Sequence, residues 1–532
     1  MHPVEVTLLL MLVVAVLVFL AGRLRLPYPI LLVIGGLGIG IVATILPGMP
    51  RFEVTPDLVF LLFLPPLLYY AGIQTSWRDF KFNLRAITLL AVGLVLLTTV
   101  IVAIVAHFLV GDVLPWPACF LLGAIVSPPD AIAATSVLQR ISVPKRIVTI
   151  LEGESLVNDA TALVAFRFGI AAMTTGHFSL AFAGLEFLKL AAGGIVVGYF
   201  VGMIVAWLHP RIKDLAVESV IALLTPYAAY LPAEHLGVSG VLAAVTAGIY
   251  MSRQIPRVVS PESRMKLNAM YDTIVFFLNS FIFILIGLAL PAVLEHLQEH
   301  SWPRLIATTL AICLTAIIVR LLWVFPAAYL PRKLFKYIRD REPYPTKDRV
   351  FLIGWISMRG IVSLAAALSI PAVLDGTNQP FPGRELIIFI TFGVILLTLV
   401  GQGLTLPLVI RALGLTSDGN EEKEEIHARL SGARAALGKL EELARAGQAD
   451  SVIIARLRVP YEERILHFGG AVSTMIEDQP RPAWDVHNRV QRQLIAAERS
   501  ALIRLRDRGD IGDEVLRKIQ DRLDLEEALL QG

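Results

Sequence analysis

From residue 4 to about 411 the chain alternates long, nearly uncharged apolar blocks with short polar breaks; beyond 415 it becomes ordinary charged sequence. Most of the blocks approach the roughly 20 residues a helix needs to cross a bilayer. In lipid a backbone segment must satisfy its own hydrogen bonds, so each block is expected as a helix. Cutting at charged or Pro/Gly-rich breaks predicts thirteen spans, near 4–22, 28–46, 57–74, 86–109, 117–138, 147–172, 181–207, 218–234, 236–251, 267–293, 303–330, 350–373 and 385–411. The short pair 218–234 and 236–251 could instead be one long or re-entrant element. The first block contains Glu5, with no Lys or Arg ahead of it and no small-residue cleavage site after it, so it reads as a retained span. The pattern predicts a transmembrane domain over 1–414 and a helical tail domain over 415–532. Tail helices are expected near 421–447, 450–476, 484–508 and 511–530. In the last, Val515, Leu516, Ile519 and Leu523 recur at helical spacing, which favours an amphipathic helix packed on a partner within a small bundle that aids stability or dimer contact.

Composition agrees with this division. A hydrophobic fraction of 56% and a mean hydropathy of +0.69 lie outside the range of soluble domains. The net charge of +3 matters less than where the charges fall. With the N-terminus outside, the inside loops carry twenty-one Lys and Arg, including Arg78, Lys81 and Arg85 and the seven between Arg332 and Arg349. The outside loops carry only Arg51, Arg304 and Arg384. A miscount by one span would mix the two sets, so this bias supports thirteen spans in the plasma (inner) membrane with a cytoplasmic tail. Both cysteines, Cys119 and Cys313, fall in apolar blocks, which argues against a disulfide scaffold. The absence of a Gly-rich phosphate loop, zinc spacing or nucleotide fingerprint leaves no cofactor or nucleic acid expected.

Two spans carry signs of interruption. Span five has Ser127-Pro128-Pro129-Asp130 at its middle, and two prolines remove two amide donors there. Span twelve has Ser357-Met358-Arg359-Gly360 and then Ser363, a weaker break but one with a charge at mid-membrane. The two are seven spans apart, so they run in opposite directions, as in two inverted repeats of spans 1–6 and 8–13 joined by span seven. Interrupted segments at matching places in two halves point to a transporter's binding site; two harmless kinks are the plainer alternative.

A charge at the bilayer centre costs about 3 kcal/mol, so each one needs a reason. Span six holds Glu152, Glu154, Ser155, Asn158 and Asp159. Glu154, Asn158 and Thr161 share a helix face, with Asp159 beside Asn158. Asp130, Arg320 and Arg359 complete the buried set. The economical pairing joins Glu154 to one of the two arginines and leaves Asp159 without a fixed partner. A desolvated, unpartnered carboxylate can hold a proton or a cation but not both, which is the chemistry of exchange. Asp130 either caps the amides freed at Pro128-Pro129 or faces the ion. Asp272 reads as an interfacial acid, and Glu5, Glu218 and Glu234 as solvated acids near membrane ends. Lys189 can snorkel to the interface. Arg167, about 12 Å along the helix from Asp159, should face an aqueous funnel or the interface.

At Gly153-Glu154-Ser155-Leu156-Val157-Asn158-Asp159-Ala160 the chain resembles the electroneutral sodium/proton exchangers, the first class of monovalent cation:proton antiporters. The resemblance extends to Phe63-Leu-Pro65-Pro66 in span three, the Pro-Asp of span five, Phe281 through Gly287 in span ten, Val319-Arg320-Leu321 in span eleven and Met358-Arg359-Gly360 in span twelve. It covers nearly all of 1–411, and the set is specific where any one piece is weak. It implies that Asp159 carries the ion, Na+ with Li+ as a further substrate, against H+. Ser155, Asp130 and the backbone carbonyls of span five would lie nearby. It further implies a Glu154–Arg320 structural pair, Asn158 bracing the crossing of spans five and twelve, and Arg359 compensating its unwound ends. One-for-one electroneutral exchange follows from Asn158-Asp159, since relatives with two adjacent aspartates are typically electrogenic. Spans 4–6 and 11–13 would move against a dimer-forming scaffold of 1–3 and 7–10, giving a homodimer. The sequence departs from the pattern at Asn279, where animal exchangers carry a buried acid, and at Pro129, commonly Thr or Val. The second departure bears on the choice among Na+, Li+ and K+.

Other classes fit less well. Ser155 as a protease nucleophile lacks a histidine at mid-membrane depth, His107 being near the end of span four, so no enzyme is expected. A channel or a sensor with a transporter-like body is the rival of another class, and K+/H+ exchange the rival within transporters.

Overall fold

Long apolar runs can satisfy their backbone only within themselves, and the computed structural model is accordingly helical throughout its described bundle. It describes residues 3–526 apart from 25, 46–57, 139–140, 142, 176–179, 213, 296–300, 375–378, 416–419, 448–449, 478–481, 509–518, 521–522 and 524–525. The chain divides into two compact units, Met1–Ser417 and Asp418–Gly532. In the first, α1 (Pro3–Leu24), α2 (Tyr28–Ile45) and α3 (Leu64–Gln74) lead to α4 (Trp77–Thr88) and α5 (Val95–Val110), which a π-helical stretch, Leu89–Leu94, joins into one span. There follow α6 (Trp116–Val126), α7 (Ala131–Leu138), α8 (Lys145–Thr175), α9 (Leu180–Leu208), α10 (Leu215–His235), α11 (Gly240–Val258), α12 (Pro261–Glu295) and α13 (Trp302–Leu334). After the short α14 (Lys336–Arg341) come α15 (Lys347–Trp355), α16 (Ile361–Leu368), α17 (Arg384–Leu397), a π-helical turn at Thr398–Gln402 and α18 (Gly403–Ala412).

Among the described residues eight helices are long and apolar enough to cross a membrane, and three shorter apolar ones are Leu8–Leu24, Tyr28–Ala43 and Val59–Gln74. The expected spans 236–251 and 350–373 fall on α11 and on the interrupted α15–α16, outside both groups, so length and hydropathy alone do not establish a count of thirteen. The short pair resolves into two helices: α10 ends at a turn with Gly237 at φ 68°, and the Ser239 hydroxyl caps α11 by accepting from Leu242 N–H at 3.2 Å.

The helices sort into two packed groups. One contains α2, α3 and α9–α12, and the other α4–α8 with α13 and α15–α18. Within the first, α2 crosses α12 where Gly36 and Gly287 meet, and α3 crosses α11 where Gly72 and Gly248 meet; at each of the four a Cβ would collide with opposing backbone. Close backbone approach through small residues is how helices associate where no hydrophobic force separates protein from lipid. An inverted repeat that relates each span to the one seven later exchanges these crossings, span two on ten becoming span nine on three.

In the second unit, α19 (Asn420–Arg445) packs on α20 (Ser451–Glu477), with Ile426, Leu430, Ala433 and Ile454 buried, and α21 (Pro482–Asp507) follows. Of the amphipathic stripe expected over 511–530, Val515 and Leu516 lie outside the described residues, while Ile519 is half-buried and Leu523 buried.

Candidate functional site

Two helix breaks meet at the centre of the bundle. The chain leaves α6 at Ser127, passes Pro128-Pro129-Asp130 and re-enters helix at Ala131; opposite, it leaves α15 at Trp355 and re-enters at Ile361. Each break strands backbone donors and acceptors away from water, and each finds a partner across the crossing. Asp130 N–H donates to Met358 O at 2.7 Å, and Arg359 Nε donates to Val126 O at 2.9 Å. The Arg359 amide donates to Thr398 Oγ1 at 3.1 Å, a hydroxyl at the start of the π-helical turn in the neighbouring span. Arg359 Nη1 also donates to the carbonyl and hydroxyl oxygens of Ser357. The guanidinium, 1% exposed, is thus occupied with the unwound backbone rather than with a carboxylate.

Helix α8 brings the acids to this crossing. Glu154, 1% exposed, forms a bidentate pair with Arg320 of α13, one Nη2–Oε2 arm at 2.8 Å and the other between Nη1 and Oε1. Arg320 Nε reaches on to Ile353 O at 3.2 Å, a carbonyl in the last turn of α15 that the break leaves without a helical donor. One turn further along α8, Asn158 Nδ2 donates to Pro129 O at 2.9 Å, while its Oδ1 has no partner among the described residues. Ser155 Oγ accepts from Ala131 N–H at 3.3 Å. Asp130 Oδ1 accepts from Ile132 N–H at 2.8 Å and so caps α7, and its Oδ2 lies against Gly360 so closely that a Cβ there would overlap it. Of the two roles open to Asp130, capping is present, and the residue also lines the cavity described next.

Asp159 differs from all of these. It is 8% exposed and, among the described residues, neither accepts a hydrogen bond nor pairs with a cation. It stands on the wall of a cavity of about 570 Å3, which Asp130, Ser155, Asn279, Gly360 and Ser363 also line. Tyr70, Gln74, Thr135, Ser136, Glu152 and Asp272 continue that lining. These lie towards the ends of α3, α7, α8 and α12 that face the loops rich in Lys and Arg, so the described lining runs from the crossing towards that side.

The hydrophobic pattern gives no sign that Tyr70 and Asp272 belong together. They are 202 residues apart, and the tyrosine hydroxyl donates to Asp272 while accepting from Gln74 Nε2 at 2.6 Å. Asp272, read as interfacial, is exposed but belongs to the cavity wall. The reading of Glu218 as solvated is corrected: it is 6% exposed, with Oε1 3.0 Å from Nδ1 of buried His209, which the turn after α9 swings over the start of α10. Glu234 does reach the surface, where it pairs with exposed Arg167 at 2.7 Å.

Residues 8–412 match the family described as sodium/hydrogen exchanger, transmembrane. An uncharacterized Na+/H+ exchanger of Mycobacterium tuberculosis is 34% identical over 522 residues, 96% of this chain and 93% of the relative. A sodium, potassium, lithium and rubidium/H+ antiporter of Bacillus subtilis is 33% identical over 500 residues, 91% of this chain and 72% of the relative. The solved structure of the sodium proton antiporter MjNhaP1 from Methanocaldococcus jannaschii superposes with a TM-score of 0.59 over 77% of this chain and 98% of that one, at 19% identity, and so shares the fold.

Proposed function

Because the chain belongs to the sodium/hydrogen exchanger family, we propose that it exchanges one Na+ for one H+ across the plasma membrane, with Asp159 carrying whichever ion is in transit. The observation that carries this reading is the state of Asp159: buried, unpartnered and on the wall of the central cavity, while Glu154 is neutralised by Arg320 and Asp130 holds a helix end. One free carboxylate holds one monovalent cation or one proton, and return of the site with the other ion completes an electroneutral cycle. Ser155 and Asp130 are the oxygens beside it, and Asn158 braces the crossing through Pro129 O. Under the positive-inside rule the basic loops are cytoplasmic, so the N-terminus is outside, the tail is inside and the cavity is open to the cytoplasm. The group of α4–α8 with α13–α18 moves past the scaffold of α1–α3 and α9–α12 to give alternating access, and the family resemblance supports a homodimer as the working unit.

In everted vesicles, NaCl should collapse a preformed pH gradient and Asp159→Asn should abolish the response; an Asn variant that exchanges normally overturns the assignment. Proton and cation compete for one carboxylate, so the apparent KM for Na+ should fall as pH rises. Exchange of K+ is the second reading. It is supported by the Bacillus subtilis relative, whose name includes K+, Li+ and Rb+, and by Pro129, which offers no hydroxyl. Comparing the four cations in the same vesicles decides between the readings.

A further inference from the structure

We propose that the Ser363 hydroxyl is a ligand of the transported cation, contributed by the second half of the broken span opposite Asp159. This rests on the reading that Asp159 carries the cation. Ser363 lies in the first turn of α16, is 2% exposed and lines the central cavity with Asp159 and Asp130. Its neighbour Val362 packs against the cluster that contains Leu156 and Ala160, which flank Asp159 on α8.

A serine inside a membrane helix ordinarily returns its hydroxyl proton to the carbonyl three or four residues earlier. Ser127, Ser136 and Ser369 all do so here, donating to Ala124 O, Ala133 O and Ala366 O at 3.0, 2.7 and 2.8 Å. For Ser363 those carbonyls belong to Arg359 and Gly360, which lie in the unwound segment and are not presented to it, and its Oγ has no partner among the described residues. The Ser363 hydroxyl is thus buried and unpartnered, on a residue that lines the same cavity as the Asp130 and Asp159 carboxylates. A buried polar group without a partner is expensive, and a monovalent cation that has shed water needs neutral oxygens in place of its hydration shell. A proton needs only the carboxylate. The hydroxyl accordingly distinguishes the two substrates: it contributes to holding the cation and nothing to holding the proton.

The test uses the full-length protein in everted vesicles. Ser363→Ala should raise the KM for Na+ about tenfold, the loss expected for one hydrogen-bonding oxygen to a charged group, with Vmax unchanged, and Ser363→Thr, which keeps the hydroxyl, should restore it. In detergent, stabilisation of the protein by NaCl should shift to correspondingly higher salt in Ser363→Ala, while its dependence on pH without Na+ stays as in the wild type. Ser363→Gly removes the hydroxyl without adding an atom and gives the same readout should the Ala variant express poorly. A wild-type KM in both, or equal losses in the Ala and Thr variants, overturns the proposal. Asp159→Asn measured alongside separates the two failures: an inactive Asn variant with a wild-type Ser363→Ala removes only the hydroxyl ligand, and an active Asn variant removes the reading beneath it.

Discussion

The Glu154–Arg320 pair is sealed on both sides, each side chain 1% exposed, and it makes plain what a buried charge requires. Removing one partner of such a pair leaves the other as an uncompensated charge in an apolar interior, at a cost of about 3–5 kcal/mol, whereas replacing both by apolar groups of similar shape is far milder. Glu154→Gln should therefore lower yield and thermal stability in detergent, Arg320→Met likewise, and the charge-swapped double variant should recover part of the loss. A Glu154→Gln protein that melts with the wild type would show that Arg320 has another counter-charge. From the residues alone the partner of Glu154 was open between two arginines. Helical spacing shows which side chains share a face, but not what a residue 166 positions away places opposite. Arg359 serves carbonyls of the crossing instead, a use that only the meeting of two breaks creates.

The two interrupted spans differ in how far the chain announces them. Pro128-Pro129 forces a break whatever surrounds it, since two amide donors are gone. The segment 356–360 contains no proline; Thr398 accepts the Arg359 amide and Met358 O accepts from Asp130, so the unwinding there is held by neighbouring elements. At Gly360 the two breaks approach so closely that a Cβ would overlap Asp130 Oδ2. Its backbone is extended, at φ −137°, so the demand is for space and not for a special conformation. Gly360→Ala should displace the Asp130 carboxylate or push the spans apart, lowering both transport in vesicles and thermal stability. A variant that keeps wild-type transport and melting would show that the crossing has slack. The reciprocal glycine contacts, Gly36 with Gly287 and Gly72 with Gly248, belong to this scale as well: each is invisible along the chain and becomes a matched pair only when helices from opposite halves cross.

For the whole molecule, the division into two packed groups of helices with the unpartnered carboxylate on one of them is what alternating access needs. Among the described residues Asp159 alone is a carboxylate both buried and unpartnered, and a single such carboxylate moves no net charge in a full cycle of one cation for one proton. Transport should accordingly be indifferent to an imposed membrane potential in proteoliposomes; a rate that follows voltage would require a second titrating group in the cycle, with Asp130 the first to examine because it lines the same cavity. Among the described residues the lining of the cavity runs towards one face, and it draws on helices from both groups.

What the amino-acid sequence determined by itself is whatever depends on local composition against a fixed bilayer thickness: a helical membrane bundle followed by charged sequence, a strong asymmetry of basic loops, a proline break, and a short set of acids and arginines too costly to bury without purpose. The tertiary structure decided the rest. It gave Arg320 to Glu154, turned Arg359 towards backbone, made Asp130 a helix cap, paired Glu218 with His209, joined Asp272 to the cavity, and left Asp159 on its wall and the buried Ser363 hydroxyl without partners among the described residues. Each of these depends on which side chains distant helices bring opposite one another across the bundle, and neither periodicity nor hydropathy along one helix specifies that.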